Sequence, residues 1–352
     1  MTTPPQRRVR VLVVDDSVLN RRAITTRLQA TGEVDVVARA ADGAEALKLA
    51  HDLRPDVITL DLEMPKMDGF SFLRLLMASR PIPVIVVSSY GQKENVFRAL
   101  ELGAVDFVAK PDVGGVDAVD VLDGLCQKVL GFGAERAVNV RPSVLPPAPR
   151  PAAPAPSDSR LPPRWLVGIA ASTGGPSALS ELFARMSARG SYAIVLAQHM
   201  PERFTRTFAE RLDRKSTLRV SEATDGDLIT THTGFVCPGR QCMEVHAHAG
   251  GQLRIKLMPQ APEDRYAPSG NRLLTSVALA AKTRAIGVIL TGMGDDGTEG
   301  ARAILDNGGI VIAESEDTAV IYGMPGSAVR AGVVTRSLPL SQIADQLDEL
   351  IR

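Results

Sequence analysis

The chain has 352 residues, of which 45% are hydrophobic and 23% charged, and its 40 basic residues balance 40 acidic ones. This length predicts two domains and a linker, and the neutral charge balance argues against a nucleic-acid-binding protein. No apolar run is long enough to span a membrane, no signal-peptide pattern opens the chain, and three cysteines (Cys126, Cys237 and Cys242) without a CxxC motif are typical of a reduced, cytoplasmic protein.

The first part of the chain alternates short apolar runs with helical patterns. The helical patterns include residues 44–52 and 94–102. The apolar runs that are typical of strands cover residues 9–14, 35–38, 57–60, 84–87 and 105–108. Five short apolar strands separated by helices predict an α/β fold with a doubly wound parallel sheet.

Polar side chains follow these strands where each one ends. Asp15 and Asp16 follow the first strand, Asp61 the third, Ser88 the fourth and Lys110 the fifth. Each residue by itself could be a helix cap or a surface charge. Three carboxylates at one sheet edge repel each other, however, and this favours a bound cation such as Mg²⁺, with the lysine and serine near a phosphoryl group.

A proline-rich stretch separates the two halves of the chain. Residues 142–163 contain nine prolines, several alanines and almost no large apolar residue. Such a composition cannot form a packed core and predicts an extended linker. We therefore expect a first domain over residues 1–131, a linker over 132–163 and a second doubly wound α/β domain over 164–352.

The second domain begins with a strand pattern that ends abruptly at a serine. The apolar run 166–171 is followed by Ser172, and a glycine turn at 173–176 then leads into a helical pattern. A hydroxyl at such a bend lies beside unpaired N–H groups of a helix N-terminus, which suits a nucleophile in acyl transfer. A phosphate-binding turn and a simple serine N-cap are the alternatives.

Two further apolar runs have the same layout. The run 192–197 leads to His199, and the run 285–290 leads to Asp295 and Asp296. A lone histidine is usually structural, and an aspartate before glycine is usually part of a turn. The ends of parallel strands converge on one sheet edge, however, so serine, histidine and aspartate at three such ends indicate a catalytic triad.

Four motifs of the first domain resemble the response-regulator receiver domain. They are VVDDS (13–17), TLDLEMPKMDG (59–69), VSS (87–89) and DFVAKP (106–111). The resemblance implies that Asp61 accepts phosphate from a histidine kinase. It also assigns Mg²⁺ to Asp15, Asp16 and Asp61, and roles in the phosphorylation switch to Ser88, Phe107 and Lys110.

The second domain resembles the catalytic domain of protein-glutamate methylesterases, the CheB family. The resemblance covers residues 166 to about 334 and, with the receiver, nearly the whole chain. Its motifs are GIAASTGGP (168–176), AQHMP (197–201), VCPGR (236–240), ILTGMGDDG (289–297) and YGMP (322–325).

Carried over by position, the resemblance assigns one role to each of five residues. Ser172 is the nucleophile, His199 the base and Asp296 the carboxylate that orients it. Backbone N–H groups near Thr173 and Met293 form the oxyanion hole.

The family's activity implies demethylation of glutamate γ-methyl esters on chemoreceptors in chemotaxis adaptation, with release of methanol, and deamidation of receptor glutamines. Ester hydrolysis then needs no cofactor. The partners expected are the receptors and a histidine kinase, without nucleic acid or membrane insertion. In relatives the unphosphorylated receiver covers the active-site face, and phosphorylation loosens it while drawing Ser88 and Phe107 inward.

The sequence departs from the family pattern at a few positions. Relatives often have asparagine at the position of Asp295, which favours Asp296 as the triad member. Gly270 and Asn271 stand where many relatives have valine and aspartate, and Cys237 and Arg240 where alanine and glycine are usual. We expect these departures to alter the substrate groove without touching the triad.

Two other functions are compatible with a receiver at the N-terminus. One is a DNA-binding output domain, against which the neutral charge and the missing helix-turn-helix pattern count. The other is an adaptor with an inactive esterase fold, against which the intact Ser172, His199 and Asp296 count. The sequence leaves open which receptor and kinase are involved, whether the pathway is flagellar chemotaxis, and the oligomeric state.

Overall fold

The computed structural model describes residues 7–89, 92–110, 118–134, 161–187, 189–262 and 264–352. Its contacts divide the chain into two compact units, Met1–Val144 and Leu145–Arg352. Most of the predicted linker, residues 135–160, lies outside the described residues. The final helix of the first unit continues to Ala134, past the predicted end of the first domain at 131.

The first unit alternates strands and helices as predicted. Its strands are β1 (Val9–Val14), β2 (Val34–Ala40), β3 (Val57–Leu60), β4 (Val84–Ser88) and β5 (Asp106–Ala109). Its helices are α1 (Val18–Ala30), α2 (Gly43–Leu53), α3 (Gly69–Ser79), α4 (Lys93–Glu101) and α5 (Ala118–Ala134). The strands form one parallel sheet in the order β2-β1-β3-β4-β5. The buried central strands are apolar except for Thr59 and Ser88, and such near-continuous apolar runs are typical of parallel strands covered on both faces.

The second unit is built on a larger parallel sheet. The strands of the unit are β6 (Trp165–Ala171), β7 (Tyr192–Gln198), β8 (Arg219–Glu222), β9 (Leu228–Ile229), β10 (Thr233–Val236), β11 (Gln241–Ala247), β12 (Leu253–Pro259), β13 (Ala285–Ile289), β14 (Ile310–Glu314) and β15 (Arg336–Leu338). Its helices are α6 (Gly175–Arg185), α7 (Glu202–Lys215), α8 (Gly270–Ala281), α9 (Thr298–Asp306), α10 (Met324–Arg330) and α11 (Leu340–Ile351). The parallel sheet has the order β15-β14-β13-β6-β7-β10-β8.

Two groups of helices and a small second sheet pack around this parallel sheet. Helix α6 contacts α7 and α11, whereas α9 contacts α8 and α10. The small sheet is antiparallel, has the order β11-β12-β9 and packs on α8. The strand pattern of the sequence did not predict it.

The core of the second unit is dominated by aliphatic side chains from the central strands and α8. Leu166, Val195, Leu274 and Ile289 are almost completely buried members of this core. Burial of each such side chain contributes about 1.5–3 kcal/mol to the free energy of folding. The packed strands therefore hold the loops at their carboxyl ends in fixed positions. Among the described helices, none has both the length and the apolar character needed to cross a membrane.

Candidate active site and phosphorylation site

The acidic residues predicted at strand ends form one pocket in the first unit. Because β1 and β3 are neighbours, Asp15 after β1 and Asp61 after β3 meet at the same sheet edge. One carboxylate oxygen from each of Asp15, Asp16 and Asp61 lies within 4.8 Å of the others. The Lys110 ammonium donates to Asp61 Oδ2 and lies 3.2 Å from Asp15 Oδ2.

The electrostatics of this pocket favour a cation. Burial is the largest influence on Asp61 and raises its pKa, the charge of Asp15 raises it further, and Lys110 acts in the opposite direction. Burial also acts to lower the pKa of Lys110, but its bonds and charge interactions with the two carboxylates leave that pKa raised. Lys110 therefore stays positively charged, yet it is a single ammonium beside three carboxylates.

The donor set of the pocket fits Mg²⁺. Carboxylate oxygens are among the ligands that this ion prefers, and it usually keeps several waters and a phosphate oxygen besides. Asp15, Asp16 and Asp61 would hold the ion. Asp16 is exposed, so the pocket is open to solvent on that side.

Two of the three predicted switch residues, Ser88 and Phe107, are already buried. The Ser88 hydroxyl donates a hydrogen bond to Gln92 Oε1 at 2.9 Å. The Phe107 ring packs edge-on against Phe97, with 6.3 Å between ring centroids. Both side chains are therefore held in packed surroundings in this structure.

In the second unit, Ser172 lies at the turn between β6 and α6. Its N–H donates to Thr291 O at 3.0 Å, and Gly175 N–H donates to Ser172 O at 2.8 Å. Gly174 has a φ of 81°, in the left-handed region that glycine adopts without steric cost. The turn thus reverses sharply enough to leave Ser172 between a strand end and a helix N-terminus.

His199 and Asp296 come from the strands on either side of β6. In the sheet order β13-β6-β7, His199 follows β7 and Asp296 lies in the loop after β13. The imidazole Nε2 of His199 lies 2.8 Å from Asp296 Oδ2. The backbone N–H of His199 donates to Ala171 O at 3.0 Å, which fixes the backbone of His199 beside Ser172. The structure therefore brings together the three residues that the sequence predicts.

Backbone N–H groups hold the carboxylate of Asp296 in place. Oδ2 also accepts from Gly270 N at 2.6 Å, and Oδ1 accepts from Asn271 N at 2.9 Å and Gly297 N at 3.0 Å. Burial acts to raise the pKa of Asp296, but His199 and the N–H groups of Gly270 and Asn271 outweigh it and lower the pKa. The carboxylate is therefore ionised at neutral pH.

The structure corrects the expectation that residues 270 and 271 do not touch the triad, although backbone N–H groups make the contact and it does not depend on the side chains by which this sequence departs from its relatives. Helix α8 begins at Gly270, and the first N–H groups of a helix have no acceptor within the helix. These groups point at Asp296 instead. The expectation for Cys237 is also corrected, because this side chain is completely buried in the core and cannot line a groove, whereas Arg240 is exposed.

The orientation of the imidazole determines which nitrogen can serve Ser172. Nε2 of His199 is bonded to Asp296, so Nδ1 is the nitrogen left for proton exchange with the hydroxyl. Within the part of the chain that the structure describes, the Ser172 hydroxyl makes no hydrogen bond. Such catalytic contacts often tighten only when substrate is bound.

The loop after β13 lies directly against Ser172. A Cβ on Gly292 would lie 2.7 Å from Ser172 Cβ and 2.4 Å from Met324 Sδ, so only glycine permits this approach. The next residue, Met293, is half-buried, and its N–H has no acceptor among the described residues. Thr173 is buried on the other side of the serine. This geometry can place N–H donors around an oxyanion.

Three buried residues that sequence reasoning missed support this arrangement. The Gln198 side-chain amide donates to the carbonyl oxygens of both Ser172 and His199, at 2.9 and 3.0 Å. The Thr291 hydroxyl donates to Thr173 O at 2.8 Å, and Thr291 N–H donates to Glu314 Oε2 at 2.9 Å. Each of the three lies at or just after the end of a buried strand, so a polar residue at that position was the available signal.

The exposed Asp295 has a different environment from Asp296. It forms a surface ion pair with Arg265, with the guanidinium 3.2 Å from Asp295 Oδ1. It makes no contact with His199 among the described hydrogen bonds and ion pairs. The geometry therefore agrees with Asp296 as the partner of the histidine.

The fold and the two sites define the class of this protein. It has a receiver-type acidic pocket on one α/β unit, and on the other it brings a serine, a histidine and an aspartate to one edge of a parallel sheet. Family models match both parts: the response regulator receiver domain over residues 11–115 and CheB methylesterase over residues 167–347.

Full-length relatives and a solved structure agree with these matches. Protein-glutamate methylesterase/protein-glutamine glutaminase 1 of Myxococcus xanthus is 46% identical over 98% of this chain and 97% of its own length. Protein-glutamate methylesterase/protein-glutamine glutaminase 3 of Geobacter sulfurreducens is 42% identical over 97% of this chain and 97% of its own length. The crystal structure of the CheB methylesterase catalytic domain of Thermotoga maritima, 36% identical, superposes with a TM-score of 0.52 and covers 53% of this chain and 98% of that one.

The chain belongs to the CheB methylesterase family and carries a response regulator receiver domain. A DNA-binding output, the first alternative from the sequence, is not what the second unit matches.

Proposed function

We propose that this protein is a protein-glutamate methylesterase that also deamidates glutamine side chains. Ser172 is the nucleophile, His199 the general base and Asp296 the carboxylate that orients the imidazole. The observation that carries the proposal is the 2.8 Å contact between His199 Nε2 and Asp296 Oδ2 beside the Ser172 turn. The names of the full-length relatives supply the substrate class.

In the first half of the reaction, His199 Nδ1 takes the proton of the Ser172 hydroxyl while Oγ attacks the ester carbonyl carbon. The negative charge moves to the carbonyl oxygen, where N–H groups of Met293 and Thr173 stabilise it. The buried, ionised Asp296 stabilises the imidazolium. Collapse of the tetrahedral intermediate breaks the bond to methoxide, which takes the proton from His199 and leaves as methanol.

In the second half, His199 removes a proton from water, and the hydroxide attacks the acyl-serine. Ser172 leaves with that proton, and a glutamate carboxylate is released. A glutamine substrate follows the same path, because ammonia then replaces methanol as the leaving group. Neither path requires a cofactor.

The direct test is methanol release from receptor membranes with labelled methyl esters. We expect Ser172→Ala to lose several orders of magnitude in rate, or about 5–8 kcal/mol of transition-state stabilisation, while its unfolding temperature stays close to wild type. Ser337→Ala is the matched control, because this serine lies on an exposed edge strand. Wild-type hydrolysis by Ser172→Ala would contradict the proposal.

The receiver unit supplies control by phosphorylation. We propose that Asp61 accepts a phosphoryl group from a histidine kinase, with Mg²⁺ held by Asp15, Asp16 and Asp61 to neutralise the oxygens. Lys110 stabilises the added charge, and Ser88 and Phe107 move inward in response to phosphorylation. Acetyl phosphate with Mg²⁺ should modify Asp61, as read by mass spectrometry after borohydride trapping. Label that persists in Asp61→Asn would refute this assignment.

The domain layout of the proposal is a receiver over residues 1–131, a linker over 132–163 and a catalytic domain over 164–352. If the receiver inhibits by covering the active site, a fragment of residues 164–352 should hydrolyse ester faster than the unphosphorylated full chain. Phosphorylation should raise the full chain to at least the rate of the fragment. A fragment no faster than the unphosphorylated chain would exclude steric inhibition.

The biological setting that we propose is chemotaxis adaptation in the cytoplasm, with methylated helices of chemoreceptors as the substrate. A receiver and an esterase on one chain would let a histidine kinase set the rate of demethylation.

A further inference from the structure

The segment between β12 and α8 carries a side chain that contacts the proposed base directly. Tyr266 is half-buried, and its ring stacks on the imidazole of His199. The ring centroids are 4.8 Å apart and the ring planes differ by 14°. This is a parallel stacking contact in the distance range that aromatic pairs favour.

The other end of Tyr266 lies against the loop that carries Met293. A Cβ on Gly294 would lie 2.6 Å from the Tyr266 hydroxyl, so this hydroxyl packs on the backbone of Gly294. One side chain therefore touches both the proposed base and the loop of the proposed oxyanion hole.

The backbone around Tyr266 is fixed on both sides. Before it, Asp264 accepts a hydrogen bond from Arg272 at 2.8 Å. After it, Ser269 caps α8, and the first N–H of that helix donates to Asp296. These contacts hold the segment that carries Tyr266 next to His199 and Asp296.

Charged groups also surround the stacked pair. Asp296 bonds the imidazole, and the Arg265 guanidinium lies 5.4 Å from the centroid of the Tyr266 ring. Arg265 in turn pairs with Asp295 at the surface. Burial raises the pKa of Tyr266, as do Asp295 and Asp296, although Arg265 opposes this, so the phenol stays neutral at the pH of an assay.

We propose that Tyr266 is a positioning residue of the esterase reaction, acting through His199. Its ring fixes the plane of the imidazole, so that Nε2 faces Asp296 while Nδ1 faces Ser172. Rotation of the imidazole about the Cβ–Cγ bond of His199 would break this alignment, and the π-face of Tyr266 blocks that rotation. The π-face also stabilises the imidazolium that forms during acylation. This inference rests on the proposed function of the triad.

The test compares Tyr266→Phe, which keeps the ring, with Tyr266→Leu and Tyr266→Met, which keep apolar cover without it. All are made in the full-length chain. We expect Tyr266→Leu and Tyr266→Met to lower kcat about 10- to 30-fold with less than about a threefold change in KM, since only orientation and imidazolium stabilisation are lost. Tyr266→Phe should stay within about threefold of wild-type kcat.

Two further readouts separate positioning from a structural role. The ring current of a stacked phenyl group shifts the imidazole proton signals of His199 upfield, and this shift should persist in Tyr266→Phe and vanish in the other two variants. The labelling rate of Ser172 by a fluorophosphonate should fall in parallel with kcat. Two variants without the ring are used so that a failure of one to fold leaves the other.

The inference is overturned if variants without the upfield shift keep wild-type kcat, if only KM changes, or if Tyr266→Phe falls as far as Tyr266→Leu. Ser172→Ala in the same assay distinguishes this failure from failure of the proposed function. If Ser172→Ala is inactive while Tyr266→Leu is fully active, only the proposed role of Tyr266 is refuted. If Ser172→Ala is active, the proposed triad is refuted as well.

Discussion

Replacing Asp296 by asparagine changes two hydrogen-bond acceptors into one acceptor and one donor without changing the shape of the side chain. In the wild type, Oδ2 accepts from His199 Nε2 and Gly270 N, and Oδ1 accepts from Asn271 N and Gly297 N. All four partners thus donate to a carboxylate that is completely buried. The amide group must conflict with at least one of them.

The structure predicts which orientation the amide adopts. With its NH₂ at the Oδ2 position, the amide leaves only the Gly270 N–H without an acceptor. The opposite orientation leaves two N–H groups, those of Asn271 and Gly297, without an acceptor. An unpaired buried donor costs about 1–3 kcal/mol, so the first orientation is favoured by about that amount.

In that orientation the amide donates to His199 Nε2 and forces the imidazole proton onto Nδ1, the nitrogen that must accept the proton of Ser172. The charge that stabilises the imidazolium is lost as well. Such a change of tautomer in a triad lowers kcat by about 10⁴, which corresponds to about 5.5 kcal/mol.

Single-turnover methanol release measures this effect, with thermal unfolding as the check on folding. Asp295→Asn is the matched control and should retain kcat within about twofold, because the Asp295–Arg265 pair is exposed and such pairs contribute little. If Asp296→Asn retains a tenth or more of the wild-type rate, or if Asp295→Asn is the slower variant, the assignment of the carboxylate is wrong.

Three further changes test other parts of the site. Gln198→Leu removes an amide that donates to the buried carbonyl of Ser172 and the partly buried carbonyl of His199. We expect a loss of about 1–3 kcal/mol in the free energy of unfolding and a lower kcat, measured by denaturant unfolding and steady-state kinetics. Gly292→Ala forces the loop away from Ser172 and should lower kcat about 10²-fold without changing the unfolding temperature by more than a few degrees; an unchanged kcat would refute the close approach. Burial acts to raise the pKa of Asp264, but the Ala261 N–H and Arg272 outweigh it and lower the pKa. The Asp264 carboxylate therefore makes its full contribution to the free energy of unfolding above about pH 4, and this contribution is lost as the pH falls through the pKa that Asp264 has in the folded protein. Arg272→Met should therefore be less stable than wild type at pH 7, with a difference that narrows below about pH 4 in urea unfolding; a constant difference would contradict this.

The sequence predicts the first parallel sheet and the three central strands of the second, β13, β6 and β7, because these buried strands are mostly apolar runs. Runs such as 57–60 and 166–171 are almost entirely buried, and the residues that follow them fall at one sheet edge. Asp61, Ser172 and His199 could therefore be placed at their sites from local patterns alone.

The remaining features depend on contacts between distant segments. The strand β9 has only two residues, Leu228–Ile229, and no local pattern distinguishes it from a loop. The N–H groups of Gly270 and Asn271 reach Asp296 only because α8 starts beside the loop after β13. Tyr266 lies in a polar loop without any periodicity, so its position over His199 could not be read from the sequence.

The central claim is that Ser172 forms a covalent acyl intermediate, and mass spectrometry of acid-quenched enzyme tests it most directly. The full-length protein is mixed with a peptide that contains a glutamate γ-methyl ester and is quenched during the first turnover. We predict an adduct at Ser172 with the mass of the peptide minus methanol, which is absent from Ser172→Ala and strongly reduced in His199→Ala. Methanol release at the wild-type rate by Ser172→Ala, or an adduct on another residue, would contradict the account.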